Sequence, residues 1–228
     1  MRWLGDNVPY PVMRYERTVF AQFLRKIAML LEAEESQLVL VDYQERLMPA
    51  IHEGAAAVAN ALRLAQMARL LEVPVWGTEQ NPTRLGPNDA RLRALCHKTL
   101  PKMHFSAVED GLIDWLRPPA RPQGGNARSL PKHLQKPAQS TPERPTIVLG
   151  GCEAHVCLLQ TALQLLQEEF DVWVVTDACS SRTERNRDAA FDRLAGAGAE
   201  LVTTEMVLFE WLRSCEHEAF KDMLALVK

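Results

Sequence analysis

Three times this chain runs from a short stretch of apolar, largely β-branched residues through a longer segment of helical periodicity into the next apolar stretch. Few folds accept that rhythm. Strands buried on both faces read as near-continuous hydrophobic runs, and a helical crossover returns the chain in the same direction, so the pattern calls for a parallel sheet covered by helices on both faces. Five segments read as core strands, residues 38–41, 73–77, 146–149, 172–176 and 200–203. Between the first two, residues 55–71 repeat Ala, Val and Leu at helical spacing, and Val73-Pro74 marks the strand that follows. A second unit passes from Thr146 through a helix over 156–169 to Val175; a third passes through a helix over 184–195, ended by Gly196 and Gly198, to Leu201. In such sheets, sites form at the carboxyl ends of the strands.

Two stretches break the rhythm. Residues 117–145 are rich in Pro, Gly, Gln, Ser and basic residues and carry almost no apolar periodicity, so they read as an exposed, mobile insertion. Residues 1–35 place Phe20, Phe23, Leu24, Ile27, Leu30 and Leu31 at helical spacing, an amphipathic extension suited to dock on the body or on a partner subunit. The remainder, 36–228, is long enough to bury a full core as one domain, since 47% of the 228 residues are hydrophobic. No apolar run approaches the roughly 20 residues of a membrane span, and a net charge of -3 without basic clusters offers no footprint for nucleic acid. Five cysteines without pairing or zinc spacing, in a chain with no secretory signal, are expected to be reduced thiols in the cytoplasm.

Chemistry concentrates where the strand at 146–150 gives way to a helix. Cys157 stands at that start, in Gly151-Cys152-Glu153-Ala154-His155-Val156-Cys157-Leu158. A cysteine taken at random is more often a small buried hydrophobe. At this junction, however, unpartnered helix amides sum to a partial positive charge that favours a thiolate or binds an oxyanion. Asp42 ends the first strand, in Val41-Asp42-Tyr43-Gln44, and reads equally well as a turn cap or as an acid in a site. A third element, Cys96 to Ser106, holds Lys98, Lys102, His97 and His104 without helical periodicity.

These positions resemble the isochorismatase-like cysteine hydrolase superfamily, which also contains nicotinamidases and carbamoylsarcosine amidases. The resemblance spans about residues 37–212 and rests on six islands in order. They are Leu38 to Gln44, Thr78-Glu79-Gln80, Lys102-Met103-His104-Phe105-Ser106, Gly151 to Leu158 with Gln160-Thr161-Ala162, Thr176 to Arg182 with its Ser180-Ser181-Arg182, and Thr204 to Phe209. The Glu-Ala-His-Val-Cys form is similar to the branch of isochorismatase domain-containing proteins. The resemblance implies a three-layer αβα sandwich around a mainly parallel, Rossmann-like sheet, and a homo-oligomer.

It further implies a triad of Asp42, Lys102 and Cys157, with Lys98 as rival for the lysine, and a cis peptide joining Cys152 to Glu153. The amides of Glu153 and Cys157 would form an oxyanion hole, and Tyr43, Gln44 and Phe105 would line the pocket. Lys102 and the helix start are expected to lower the thiol pKa. Nicotinamidases of the superfamily bind a metal through histidines after the second strand; residues 78–87 here contain none, so neither metal nor cofactor is expected. Isochorismate hydrolysis cleaves a vinyl ether without a thiol, so Cys157 points to a small amide-like or related acyl substrate. Vinyl ether hydrolysis, a catalytically silent binding or scaffold module, and a Cys152–Cys157 redox sensor are the alternatives. His155 reads as a hydrogen-bonded structural histidine rather than an acid or base.

Overall fold

The strand β1 (Ser36–Val41) is buried at every residue, as a central strand of a covered parallel sheet must be. A computed structural model describes residues 30–118 and 144–227. The expected amphipathic helix before residue 30 and residues 119–143 of the expected insertion lie outside the described residues. Within them, β2 (Val75–Gln80), β3 (Lys98–Lys102), β4 (Thr146–Cys152), β5 (Asp171–Ser180) and β6 (Glu200–Val202) join β1 in one sheet ordered β3-β2-β1-β4-β5-β6. Every pairing is parallel. This is a doubly wound sheet whose strand order reverses between β1 and β4, and the carboxyl ends of those strands open the crevice where such sheets hold ligands.

Side chains alternate across β1 into two cores. Leu38 and Leu40 enter one with the helices α1 (Gly54–Leu70), α4 (Thr204–Leu212) and α5 (Phe220–Val227); Val39 and Val41 enter the other with α2 (Leu159–Gln167) and α3 (Glu184–Gly196). α1 carries a stripe of Ala57, Ala61, Ala65 and Ala68, all buried, and these short side chains let the helix lie close on the sheet. α3 is capped by Thr183, whose hydroxyl accepts from the amide of Asn186 at 3.3 Å. The helix expected over 156–169 begins instead with a turn of π-helix, Ala154–Leu158, before α2.

β3 is not among the five strands expected from the apolar pattern. It is an edge strand with Lys98 and Pro101 exposed, and Pro101 is tolerated there because an edge leaves one row of backbone donors without ladder duties. Such a strand has no continuous apolar run to announce it. β2 and β5 likewise extend beyond their expected ends, by which they reach Gln80 and Ser180.

β4 passes β1 at very close range. Gly151 pairs with Val41, has a φ of +155°, and a Cβ placed on it would stand 2.4 Å from the Val41 carbonyl oxygen. Because that contact is with backbone, no rotamer change relieves it. Gly151→Ala is expected to lower stability by about 3 kcal/mol, the upper end of the overpacking range, measured by urea denaturation. A loss below about 1 kcal/mol would mean that β4 can shift freely past β1.

Cys152 and Cys179 sit in the interior, where burial pushes the Cys152 thiol up to about 12 and holds Cys179 well above its ordinary value. In the unfolded chain both would ionise near about 8.5. Above that pH the unfolded state binds fewer protons than the folded one, so stability is full below about pH 8.5 and falls as pH rises toward the folded values. Each such thiol should remove up to about 1.4 kcal/mol per pH unit. Urea midpoints between pH 8 and 10.5 check this; a midpoint that does not fall would contradict thiols sealed from solvent.

Candidate active site

Three strand ends deliver the site. Asp42 follows β1 in the left-handed region, φ +56°, a conformation Asp tolerates better than most residues, and its amide donates to the Thr78 carbonyl at 3.2 Å. Its side chain is fully buried. Oδ1 accepts a 2.6 Å hydrogen bond from the Thr78 hydroxyl, and Oδ2 lies 2.8 Å from Lys102 Nζ. That contact is off the direction of a hydrogen bond, so Oδ2 keeps a lone pair available.

Lys102 closes β3 with its ammonium as completely buried as the carboxylate. It donates to Gln80 Oε1 at 2.7 Å, to the Phe105 carbonyl at 3.0 Å and to the His104 carbonyl at 3.4 Å. Three donors thus meet three acceptors, with Asp42 supplying the countercharge. The loop carrying those carbonyls is clamped by Asp110, whose Oδ2 accepts from the amides of Met103 and His104, both at 3.0 Å. Lys98 lies at the other end of β3, with its ammonium 5.4 Å from the Trp115 ring centre, and takes no part.

Cys157 enters from the turn after β4, and its thiol stands 3.8 Å from the same Gln80 oxygen that Lys102 holds. The expected lowering of its pKa is reversed. Burial pushes the thiol up to about 12, and the Asp42 charge adds to the rise, outweighing the opposite pull of Lys102. A cation one hydrogen bond away cannot ionise a thiol that is 6% exposed and shares the cation with a carboxylate. These surroundings favour the neutral thiol.

Gln80 is assigned no role by the Thr78-Glu79-Gln80 motif itself. It is built in by Gln44, fully buried, whose Oε1 accepts from the Gln80 amide at 2.9 Å and whose Nε2 donates to the Gln80 carbonyl at 2.9 Å. Gln44 is therefore a strut behind the site rather than a wall of the pocket. Tyr43 also departs from its expected place. It is buried in the core on the α1 side, with its hydroxyl donating to the Ala178 carbonyl at 2.5 Å. Phe105 meets Lys102 through its carbonyl, and its ring is half exposed.

The peptide joining Cys152 to Glu153 is cis. Glu153 is nearly buried; its Oε2 accepts from the Arg182 amide and Nε, both at 2.9 Å. His155 is fixed by Ser181 at 3.0 Å and Asn186 at 3.4 Å. All five cysteines are free. Among the described residues no three His, Cys, Asp or Glu side chains are grouped to hold a metal ion, and no helix is long and apolar enough to cross a membrane.

Comparison with known proteins identifies the family. The isochorismatase domain model matches residues 36–206. Isochorismatase domain-containing protein 2 of Xenopus laevis is 36% identical over 204 residues, covering 90% of this chain and 88% of the frog protein. Among solved structures, a protein described as MAR1 ribonuclease from Caenorhabditis elegans superposes with a TM-score of 0.73 at 28% identity, over 87% of this chain and 92% of that one. The YcaC product of Escherichia coli, described as an octameric hydrolase of unknown specificity, superposes with a TM-score of 0.70 at 25% identity, over 87% of this chain and 88% of the other. With the domain match covering most of its length and the carboxyl ends of β1, β3 and β4 meeting at one buried cluster, this chain belongs to the isochorismatase family.

Proposed function

We propose that this protein is a metal-independent cysteine hydrolase of a small amide-like or related acyl substrate, with Cys157 as nucleophile, Asp42 as base and Lys102 as its partner. The observation that carries the reading is the fully buried Asp42–Lys102 pair, 2.8 Å apart, beside the Cys157 thiol at the switch point of the sheet. An ion pair taken wholly out of water costs several kcal/mol per charge and adds little to stability, so a role in chemistry explains it better than a role in folding.

The neutral resting thiol defines the first step. As a substrate carbonyl arrives, the thiol proton passes to the free lone pair of Asp42 Oδ2 while Sγ attacks the carbonyl carbon. Lys102 and the amides of Glu153 and Cys157 at the helix start offset the negative charge that develops on oxygen. Asp42 returns the proton to the leaving amine, the C–N bond breaks and a thioester remains. Asp42 then deprotonates a water that releases the acid and regenerates the thiol.

A ribonuclease reading, prompted by the description of the C. elegans protein, would need cations to meet phosphates. Lys102 is already paired with Asp42, and the chain has a net charge of -3. Self-association belongs to the same proposal, since the E. coli neighbour is described as octameric and Met103, Phe105, Met206 and Phe209 leave large apolar side chains exposed. Five free thiols accord with a reducing, cytoplasmic setting.

On a panel of small amides and esters, Cys157→Ala should remove turnover and the thioester seen by intact-mass spectrometry. Lys102→Met should cut kcat by about a hundredfold or more, as loss of one electrostatic stabiliser does. Turnover that survives Cys157→Ala would transfer the chemistry to Asp42 alone. The thiol itself is tested by alkylation. With its pKa near 12, the iodoacetamide rate at Cys157 should climb steadily with pH through 10 and show no inflection at the free-thiol value. A plateau reached below about pH 8.5 would mean a resting thiolate and overturn the neutral-thiol step.

A further inference from the structure

The Ser180-Ser181-Arg182 run has no part in the proposed chemistry, yet its side chains and amides grip the nucleophile turn at two points. Arg182 donates through both its amide and Nε, each at 2.9 Å, to Oε2 of Glu153. Two residues further along the turn, His155 Nδ1 lies 3.0 Å from the hydroxyl of the fully buried Ser181. The run is anchored in turn to the segment that follows β1: Ser180 Oγ donates to the His52 carbonyl at 2.6 Å, and the His52 amide donates to the Ser181 carbonyl at 2.9 Å. It therefore ties the turn bearing Cys157 to the chain that bears Asp42.

We propose that Arg182 is a positioning residue that, by gripping the Glu153 carboxylate, aims the Glu153 amide at the substrate oxyanion. This rests on the cysteine hydrolase reading above. The Arg182 side chain is 60% exposed whereas that of Glu153 is 10% exposed. An ion pair with one half-hydrated partner adds little to stability, so its worth lies elsewhere. Here it fixes the direction of a backbone donor and cancels a carboxylate charge that would otherwise oppose the developing oxyanion. Loss of one oxyanion donor slows acyl transfer by about 10²–10³, and a loosened one costs part of that.

The test compares two reagents at Cys157 by peptide-mapped mass spectrometry at one pH, with exposed Cys215 as a reference thiol in the same molecule. p-Nitrophenyl acetate acylates through an oxyanion: the S–C bond forms, the ester C–O bond breaks, p-nitrophenolate leaves and Asp42 takes the thiol proton. Iodoacetamide alkylates by displacing iodide and passes through no oxyanion. In Arg182→Ala the acylation rate at Cys157 should fall at least tenfold while the alkylation rate stays within twofold of the unsubstituted protein. Arg182→Gln, which keeps bulk and one donor, should show the same split by a smaller factor and serves if the alanine variant does not fold. Equal acylation in the variants and the unsubstituted protein overturns the positioning role and leaves the nucleophile standing. Equal slowing of both reagents also overturns it, since the thiol rather than the amide has then moved. If the unsubstituted protein acylates Cys157 no faster than Cys215, the nucleophile and the positioning role fall together.

Discussion

A carboxylate and an ammonium, both removed from water, set the terms for everything around them. Burying an unpaired charge is costly; Asp42 and Lys102 face each other, and all but one of the carboxylate and ammonium positions around them are hydrogen-bonded. Thr78 donates to the carboxylate, while Gln80 and the carbonyls of His104 and Phe105 accept from the ammonium. Those partners come from the carboxyl ends of β2 and β3 and the loop beyond. The need to satisfy the pair accounts for the second layer too: Gln44 holds Gln80, and Asp110 holds the loop that presents the carbonyls.

The backbone makes room for this arrangement. Parallel strands that reverse order between β1 and β4 leave their ends diverging over a crevice, and Gly151 lets β4 run against Val41 without a side chain between them. Cys157 is thereby brought to the same crevice as Asp42 from 115 positions further along the chain. Its thiol is then close enough to feel both charges and buried enough that desolvation dominates. On the proposed cysteine hydrolase reading, a protonated thiol beside a carboxylate suits a nucleophile formed only on demand, its charge created when an oxyanion site can absorb it.

Much of this was legible along the chain. Near-continuous apolar runs and helical spacing announced β1, β4, β5 and the helices α1 and α3, because burial on both faces leaves a strong compositional mark. β3 left none, being an edge strand of lysines and a proline. Asp42, Lys102 and Cys157, which the structure brings together, were indicated by the motifs that carry the family resemblance. Tyr43 and Gln44, one and two residues past the aspartate, were misplaced as pocket walls, because a turn after a strand scatters neighbours in different directions. Arg182 and Glu153 lie 29 residues apart and only meet because β4 and β5 are adjacent.

By itself the sequence determined the layered parallel fold, the absence of histidine from residues 78–87 and, through the motifs that carry the family resemblance, the three residues that converge. These are properties of local pattern and composition, which a linear chain carries intact. Which lysine faces the carboxylate, what Gln80 does and which way the thiol pKa moves were decided only in three dimensions. A lysine near a cysteine lowers its pKa in water; here the same pull from Lys102 is outweighed by burial of the thiol and by the Asp42 charge. Charge balance and desolvation depend on every group within a few ångströms, and that neighbourhood exists only after the sheet has closed.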